Sequence, residues 1–199
     1  MRELILGVDV GTTATKAVLI DFDGKFVSQG RAEHPTHHLK AGWAEQEAED
    51  WWRSFCEAAS IAKNNAANSK IAAVLISSQA PSMLPVDGNG KPIRKALIWM
   101  DRRAEPQAQE LLKNFPSISS ITGNRADPFY IAAKIKWLKD NEPDNYEKTK
   151  YILQIPGFLN FKLTGKFGTD RSHTSMFQLR DRENNNWHRE IGNFVGANQ

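Results

Sequence analysis

One cysteine, Cys56, leaves nothing for a thiol to pair with inside this chain of 199 residues. A disulfide scaffold is excluded. Cys56 sits beside Phe55 on a predicted helix, which fits a buried, inert thiol better than a nucleophile. No apolar run approaches the ~20 residues of a membrane span. The start also lacks the charged, apolar and small-residue segments of a secretion signal, so a reducing cytoplasm is the expected setting. The net charge is +3, yet no dense Lys/Arg run exists, so nucleic acid is not an expected partner. There is no internal repeat and no low-complexity segment. His34, His37 and His38 share a polar loop with Pro35, but no Cys, Asp or Glu stands at matching spacing; exposed histidines are expected there, without a metal.

What the chain does have is an ordinary globular composition, 40% hydrophobic and 25% charged, and enough length for one domain with a real core. Its most informative stretch lies near the start. Residues 4–9 and 14–21 read as strands around a polar turn, Gly11-Thr12-Thr13. Gly11 permits a sharp turn, and Thr12, Thr13 and Thr15 offer hydroxyls and amides around one point. Lys16 adds a cation. Such a concave donor set suits phosphate oxygens, and Asp9, closing the first strand, suits a magnesium ion or a proton relay. The bland alternative is an ordinary hairpin with a Gly-Thr turn.

Further along, Asp23-Gly24 marks a hairpin into a third strand at 26–32, completing an antiparallel meander. A helix of about residues 47–66 follows, with Ala48, Trp51, Trp52, Phe55, Ala58, Ala59 and Ala62 as its buried stripe. The unbroken apolar run 71–77 fits a central strand covered on both faces. Gln79, Ala80 and Pro81 lie just past its carboxyl end, the usual place for a ligand in an open α/β sheet. A second hairpin is expected between 83–86 and 96–99, then a helix over about 101–114. Trp99 and Asp101 could wall a polyol and accept its hydroxyls; equally, Trp99 could be core and Asp101 a helix cap. Helical spacing at Ile131, Ile135 and Leu138 stops before Pro143, 151–153 reads as a short strand, and a last helix begins at Pro156 and ends at Gly165.

Taken in order, these motifs resemble the N-terminal domain of the FGGY carbohydrate kinases, most closely the xylulose kinase branch. Asp9-Val10-Gly11-Thr12-Thr13 through Lys16 resembles the family's phosphate loop. Gly42-Trp43-Ala44-Glu45-Gln46 with Trp51-Trp52, Ile76-Ser77-Ser78-Gln79, Trp99-Met100-Asp101-Arg102-Arg103, Lys136-Trp137-Leu138, Leu163-Thr164-Gly165 and Thr169-Asp170-Arg171-Ser172 fall in the family's order. The resemblance covers nearly the whole chain. It implies an α/β, actin-like domain of ribonuclease-H type: a three-stranded antiparallel meander extended by parallel strands, with helices on both faces.

The resemblance also implies a reaction, the transfer of the γ-phosphate of ATP to a sugar hydroxyl with magnesium. Asp9 would be the catalytic and metal-organising carboxylate. Gly11, Thr12, Thr13 and Lys16 would bind phosphate. Gln79, Ala80, Pro81, Trp99 and Asp101 would line the sugar. The expected partners are the sugar, ATP and the C-terminal domain of a longer parent chain, and a homodimer is compatible with this reading. Two departures stand out. The family's catalytic aspartate and its ATP-binding half are not in these residues, so the chain reads as an N-terminal fragment that should not turn over ATP alone. And where xylulose kinases have Met-His after the glutamine, and glycerol kinases Arg-Glu, this chain has Ala80-Pro81. Phe129 stands where glycerol kinases place a substrate-contacting tyrosine, which favours a ketopentose, pentitol or related sugar over glycerol. Two other readings remain: phosphoryl transfer of the acetate- or hexokinase type on the same fold, and a non-catalytic sugar-binding module.

Overall fold

The computed structural model describes residues 2–197. Strands β1 (Arg2–Val10) and β2 (Ala14–Ile20) flank the polar turn and pair antiparallel, with Asp9 opposite Lys16 and Val10 opposite Thr15. β3 (Phe26–Glu33) pairs antiparallel with β2. β4 (Glu45–Gln46) is a two-residue strand leading into α1 (Ala48–Asn64), and β5 (Ser69–Ser78) returns parallel to β1. The main sheet therefore runs β3-β2-β1-β5. The meander is as expected, extended by one parallel strand.

Period-two alternation decides which face of this sheet is covered. Leu4, Leu6, Val8 and Val10 of β1 are buried, and with Ala17 and Leu19 they meet Trp51, Phe55, Ala58 and Ala62 of α1. The inward residues of β3 are small: Ser28, Gly30 and Ala32. That lets α1 lie close on the strand. A Cβ at Gly30 would stand 2.1 Å from the Ala58 carbonyl oxygen. Ser28 Oγ donates to the Ala62 carbonyl at 2.6 Å.

After β5 the chain forms β6 (Leu84–Val86), β7 (Ala96–Leu97), α2 (Glu105–Asn114), α3 (Ile118–Thr122), α4 (Ile131–Asn141), α5 (Pro143–Lys148), β8 (Tyr151–Leu153), α6 (Ile155–Thr164), α7 (Arg171–Ser175) and α8 (Arg189–Val195). A second core gathers Met83, Leu97, Leu111, Ile131, Ile135, Leu138 and Ile191. Among the described residues no helix is long and apolar enough to cross a membrane.

Three expectations need correction. The run 71–77 is not a central strand. β5 is an edge of the sheet, and Leu75 is 64% exposed. Its hydrophobicity reflects a face that the described residues leave open. The helices packed on the sheet, α1 and α6, share one core with Leu4 to Val10 of β1, so among the described residues the expected helices on both faces are met on one face. The hairpin of 83–86 with 96–99 shrinks to one bridge, Met83 to Leu97; β6 pairs instead with β8, and β7 with β4. Long-range partners outcompeted the local turn.

Candidate active site

The open face of the sheet carries the polar ends of β1 and β2. Asp9 and Lys16 are exposed cross-strand partners, and Ser77 of β5 stands in register with Asp9 on its other side. Their neighbours Val8 and Val10 point into the core, so alternation turns the carboxylate and the ammonium outward together. Between the strands, the Gly11 amide donates to the Ala14 carbonyl at 3.0 Å and closes the turn. A Cβ on Gly11 would come within 3.2 Å of that same oxygen.

His34 underpins the turn from below, contrary to the expectation that it is exposed. It is buried, with Nε2 3.0 Å from the Gly11 carbonyl and Nδ1 3.1 Å from Ser54 Oγ. Burial lowers its pKa below the usual histidine value, opposed by the Gly11 carbonyl. Thr15, expected among the phosphate donors, is also buried and hydrogen-bonded to Ser54. The candidate donors that remain are Thr12, half-exposed, and Thr13, exposed.

Thr12 is where the structure joins the polar turn to the expected sugar residues. Its hydroxyl donates to Gln79 Oε1 at 3.0 Å and accepts the Trp99 indole N–H at 3.2 Å. The Gln79 amide donates to the Val10 carbonyl at 2.8 Å, fixing the end of β5 against β1. Trp99 is 38% exposed, so it is not the core residue of the bland reading. Gln79, Thr12 and Trp99 thus form one polar and aromatic wall beside Asp9 and Lys16. Ala80 is half-buried at its edge.

Two expected sugar residues do not face this wall. Pro81 is buried. Asp101 is fully buried, and its carboxylate is already engaged: Oδ2 accepts from the Ala44 amide at 2.7 Å, and Arg103 Nε and Nη2 donate to it at 2.8–3.0 Å. Nor does Asp101 cap a helix, since α2 starts later, with Ala104 at its N-cap. Its role is to hold Arg103. That guanidinium lies 3.6 Å from the Trp43 ring and 4.9 Å from the Trp137 ring, with Glu45 as a second carboxylate 2.8 Å away. Arg94 bridges Glu45 to Glu142. Such a desolvated ion network persists because each charge has opposite partners. The Gly-Trp-Ala-Glu-Gln segment therefore reaches two places: Glu45 faces the arginines, while the next residue, Gln46, faces the loop.

Sequence reasoning assigned no role at this site to Gln46, Thr36 or Lys134. Gln46 is fully buried and donates to the Thr12 carbonyl and to Thr36 Oγ1, both at 2.7 Å. Lys134, on the inner side of α4, is also fully buried; its Nζ donates to the carbonyls of Ile98 at 2.8 Å and Phe129 at 3.1 Å. The one available signal was a polar residue inside a buried pattern, which needs internal partners. A cavity of about 710 Å³ between Tyr146, Tyr151, Phe177 and Trp187 includes none of the expected site residues.

For magnesium, the described residues contain no cluster of three or more metal-ligating side chains. That still fits. Magnesium is commonly held by one or two carboxylates together with phosphate oxygens and water, and Asp9 is an exposed carboxylate beside phosphate-type donors.

The chain is 34% identical to a glycerol kinase of Agrobacterium fabrum, covering 96% of this chain and 40% of that protein. It is 28% identical to a xylulose kinase of Staphylococcus xylosus, over 94% of this chain and 39% of that one. The crystal structure of a gluconate kinase from Lactobacillus acidophilus superposes with a TM-score of 0.93 at 26% identity, over all of this chain and 40% of that one. The chain spans about 40% of the length of the relatives it matches. The profile of the FGGY family of carbohydrate kinases, N-terminal domain, matches residues 4–199, and the chain belongs to that family.

Proposed function

We propose that this chain is the sugar-binding part of an ATP-dependent kinase that phosphorylates a hydroxyl of a pentulose-like sugar. The observation that carries the reading is Thr12. One hydroxyl at the phosphate turn touches both Gln79 and Trp99, so a sugar on that wall would lie next to the loop. In the reaction a sugar oxygen bonds to the γ-phosphorus, the bond to the ADP oxygen breaks, and the hydroxyl proton leaves to a base. The family resemblance puts that base, and most of the ATP site, in a part of the parent beyond these residues.

Within this chain, Lys16 and the loop donors would offset charge on the transferring phosphoryl group. Asp9 would hold magnesium, which when bound supplies charge neutralisation at the phosphate oxygens. Trp99 would stack on the apolar face of the sugar while Gln79 bonds a hydroxyl. Burial of Pro81 and the methyl side chain of Ala80 leave no hydrogen-bonding side chain at the next two positions. One such missing contact changes discrimination by about 1–3 kcal/mol. A second reading, glycerol as acceptor, draws on the 34% identity to a glycerol kinase. Against it stands Phe129, half-buried and without a hydroxyl.

The test is made on the full-length parent with a coupled ADP assay and a panel of pentuloses, pentitols, gluconate and glycerol. A pentulose is expected to give the highest kcat/KM, and Asp9→Ala to abolish nearly all turnover. Activity within a few-fold of wild type in Asp9→Ala removes the role assigned to that carboxylate. Binding of a sugar with no turnover in the wild-type parent supports a sugar-binding module instead.

A further inference from the structure

The hydrogen bonds around Gln46 have a direction. The Trp51 indole can only donate, and it donates to Gln46 at 2.8 Å, so the atom it meets is the amide oxygen. The other end of the same amide meets the Thr12 carbonyl, which can only accept, so that atom is the nitrogen. Two independent partners therefore fix the orientation of Gln46. Gln79 must then present its nitrogen to Gln46 Oε1, at 2.7 Å, and its own oxygen to Thr12. That oxygen accepts, so the Thr12 hydroxyl donates towards Gln79 and leaves a lone pair for the Trp99 N–H. The order runs from a fully buried indole, through a fully buried amide, to the one hydroxyl shared by the loop and the sugar wall. All four hydrogen-bonding positions of Gln46 are filled, by Trp51, Gln79, Thr12 and Thr36.

We infer that Gln46 is a positioning residue for phosphoryl transfer: it sets the direction of the Thr12 hydroxyl and the register between the phosphate loop and Gln79. This rests on the kinase reading above. Gln46 itself touches neither sugar nor phosphate. A group that Thr12 would donate to must compete with Gln79, so a sugar hydroxyl engaging Gln79 alters the donor offered to the phosphate. Occupancy of one half of the site is thereby sensed by the other.

The experiment is a double-mutant cycle in the full-length parent. Gln46→Leu removes all four bonds at similar volume; Gln46→Glu keeps the acceptor but faces the Thr12 carbonyl with charge; Thr12→Val removes the shared hydroxyl. Each is assayed for kcat, KM for sugar and ATP, and ATP hydrolysis without sugar, alongside thermal unfolding. Gln46→Leu and Gln46→Glu are both expected to lower kcat on the order of 10²-fold, the scale of a small misplacement of reacting groups. In the Thr12→Val background the same changes should lower kcat by less than about threefold further, because the effect passes through Thr12. Full additivity overturns the inference, as does a wild-type kcat in folded Gln46→Leu. Loss of the folded state in both Gln46 variants also overturns it, by making the residue purely structural. A wild-type parent that phosphorylates no sugar fails the kinase reading itself, and is told apart by that control.

Discussion

A lysine with no exposed surface needs an explanation at the level of its own atoms. Lys134 has two carbonyl acceptors, Ile98 and Phe129, and a neutral amine has two N–H groups to give them. Burial brings its pKa down to about 7, with Asp101 and Asp127 opposing the fall and Arg102 and Arg103 assisting it. The folded value lies below the unfolded one near 10.5, so the unfolded chain binds the extra proton between them. Stability from this group is therefore complete above the unfolded pKa and is lost as pH falls through about 7. Urea denaturation of the wild type should show stability rising from pH 7 towards pH 10 relative to Lys134→Met, whose curve lacks that slope. At pH 8, Lys134→Met should cost about 1–3 kcal/mol for each carbonyl left unpaired. Asp101 teaches the same lesson in reverse. Its place beside Trp99 suggested a ligand carboxylate, but the arginine two residues on claims it; only the packed positions of Trp43 and Trp137 reveal that cage.

Between elements, α1 comes very close to β3. The amphipathic stripe of α1 was legible in the sequence, and Trp51, Phe55, Ala58 and Ala62 face the core as read. How close the helix comes was not legible, because it depends on Ser28, Gly30 and Ala32 all lying under it. Gly30→Ala places a methyl group against the Ala58 carbonyl and the Ala62 nitrogen, both backbone atoms that cannot swing aside. It should cost about 1–3 kcal/mol in urea denaturation, from overpacking rather than lost conformational freedom. A neutral outcome there would mean that α1 sits further from β3. The second hairpin failed for a related reason. The turn at Asp87 forms, with the Gly90 amide donating to the Asp87 carbonyl at 3.1 Å, yet β6 finds its ladder with β8, far along the chain.

For the molecule as a whole, the open edge of the main sheet matters most. β5 has β1 on one side, and the described residues offer no strand on the other. Leu75 and Val74 are exposed on it. An edge strand with apolar side chains is a template for pairing with another chain. The 199-residue chain alone is expected to self-associate as concentration rises, and Leu75→Lys to reduce this in sedimentation velocity. The same change should shift unfolding free energy by less than about 0.5 kcal/mol, since little burial is lost. Unaltered association of Leu75→Lys would place the sticky surface elsewhere.

The sequence by itself determined the meander, the polar turn between β1 and β2, the stripe of α1 and the family, because these rest on short-range periodicity and on ordered motifs. Alternation alone turns Asp9 and Lys16 to one face. Tertiary structure decided which polar groups remain available. It took Thr15, Pro81 and Asp101 into the interior, exposed the edge strand that had read as central, and brought Gln46 beneath the loop. The physical reason is that a buried hydrogen-bonding group is defined by its partners, and those partners come from elements far apart in the chain. The turn from Gly11 to Thr13 was legible as a donor site. That its Thr12 hydroxyl already points at Gln79 could be read only from the folded chain.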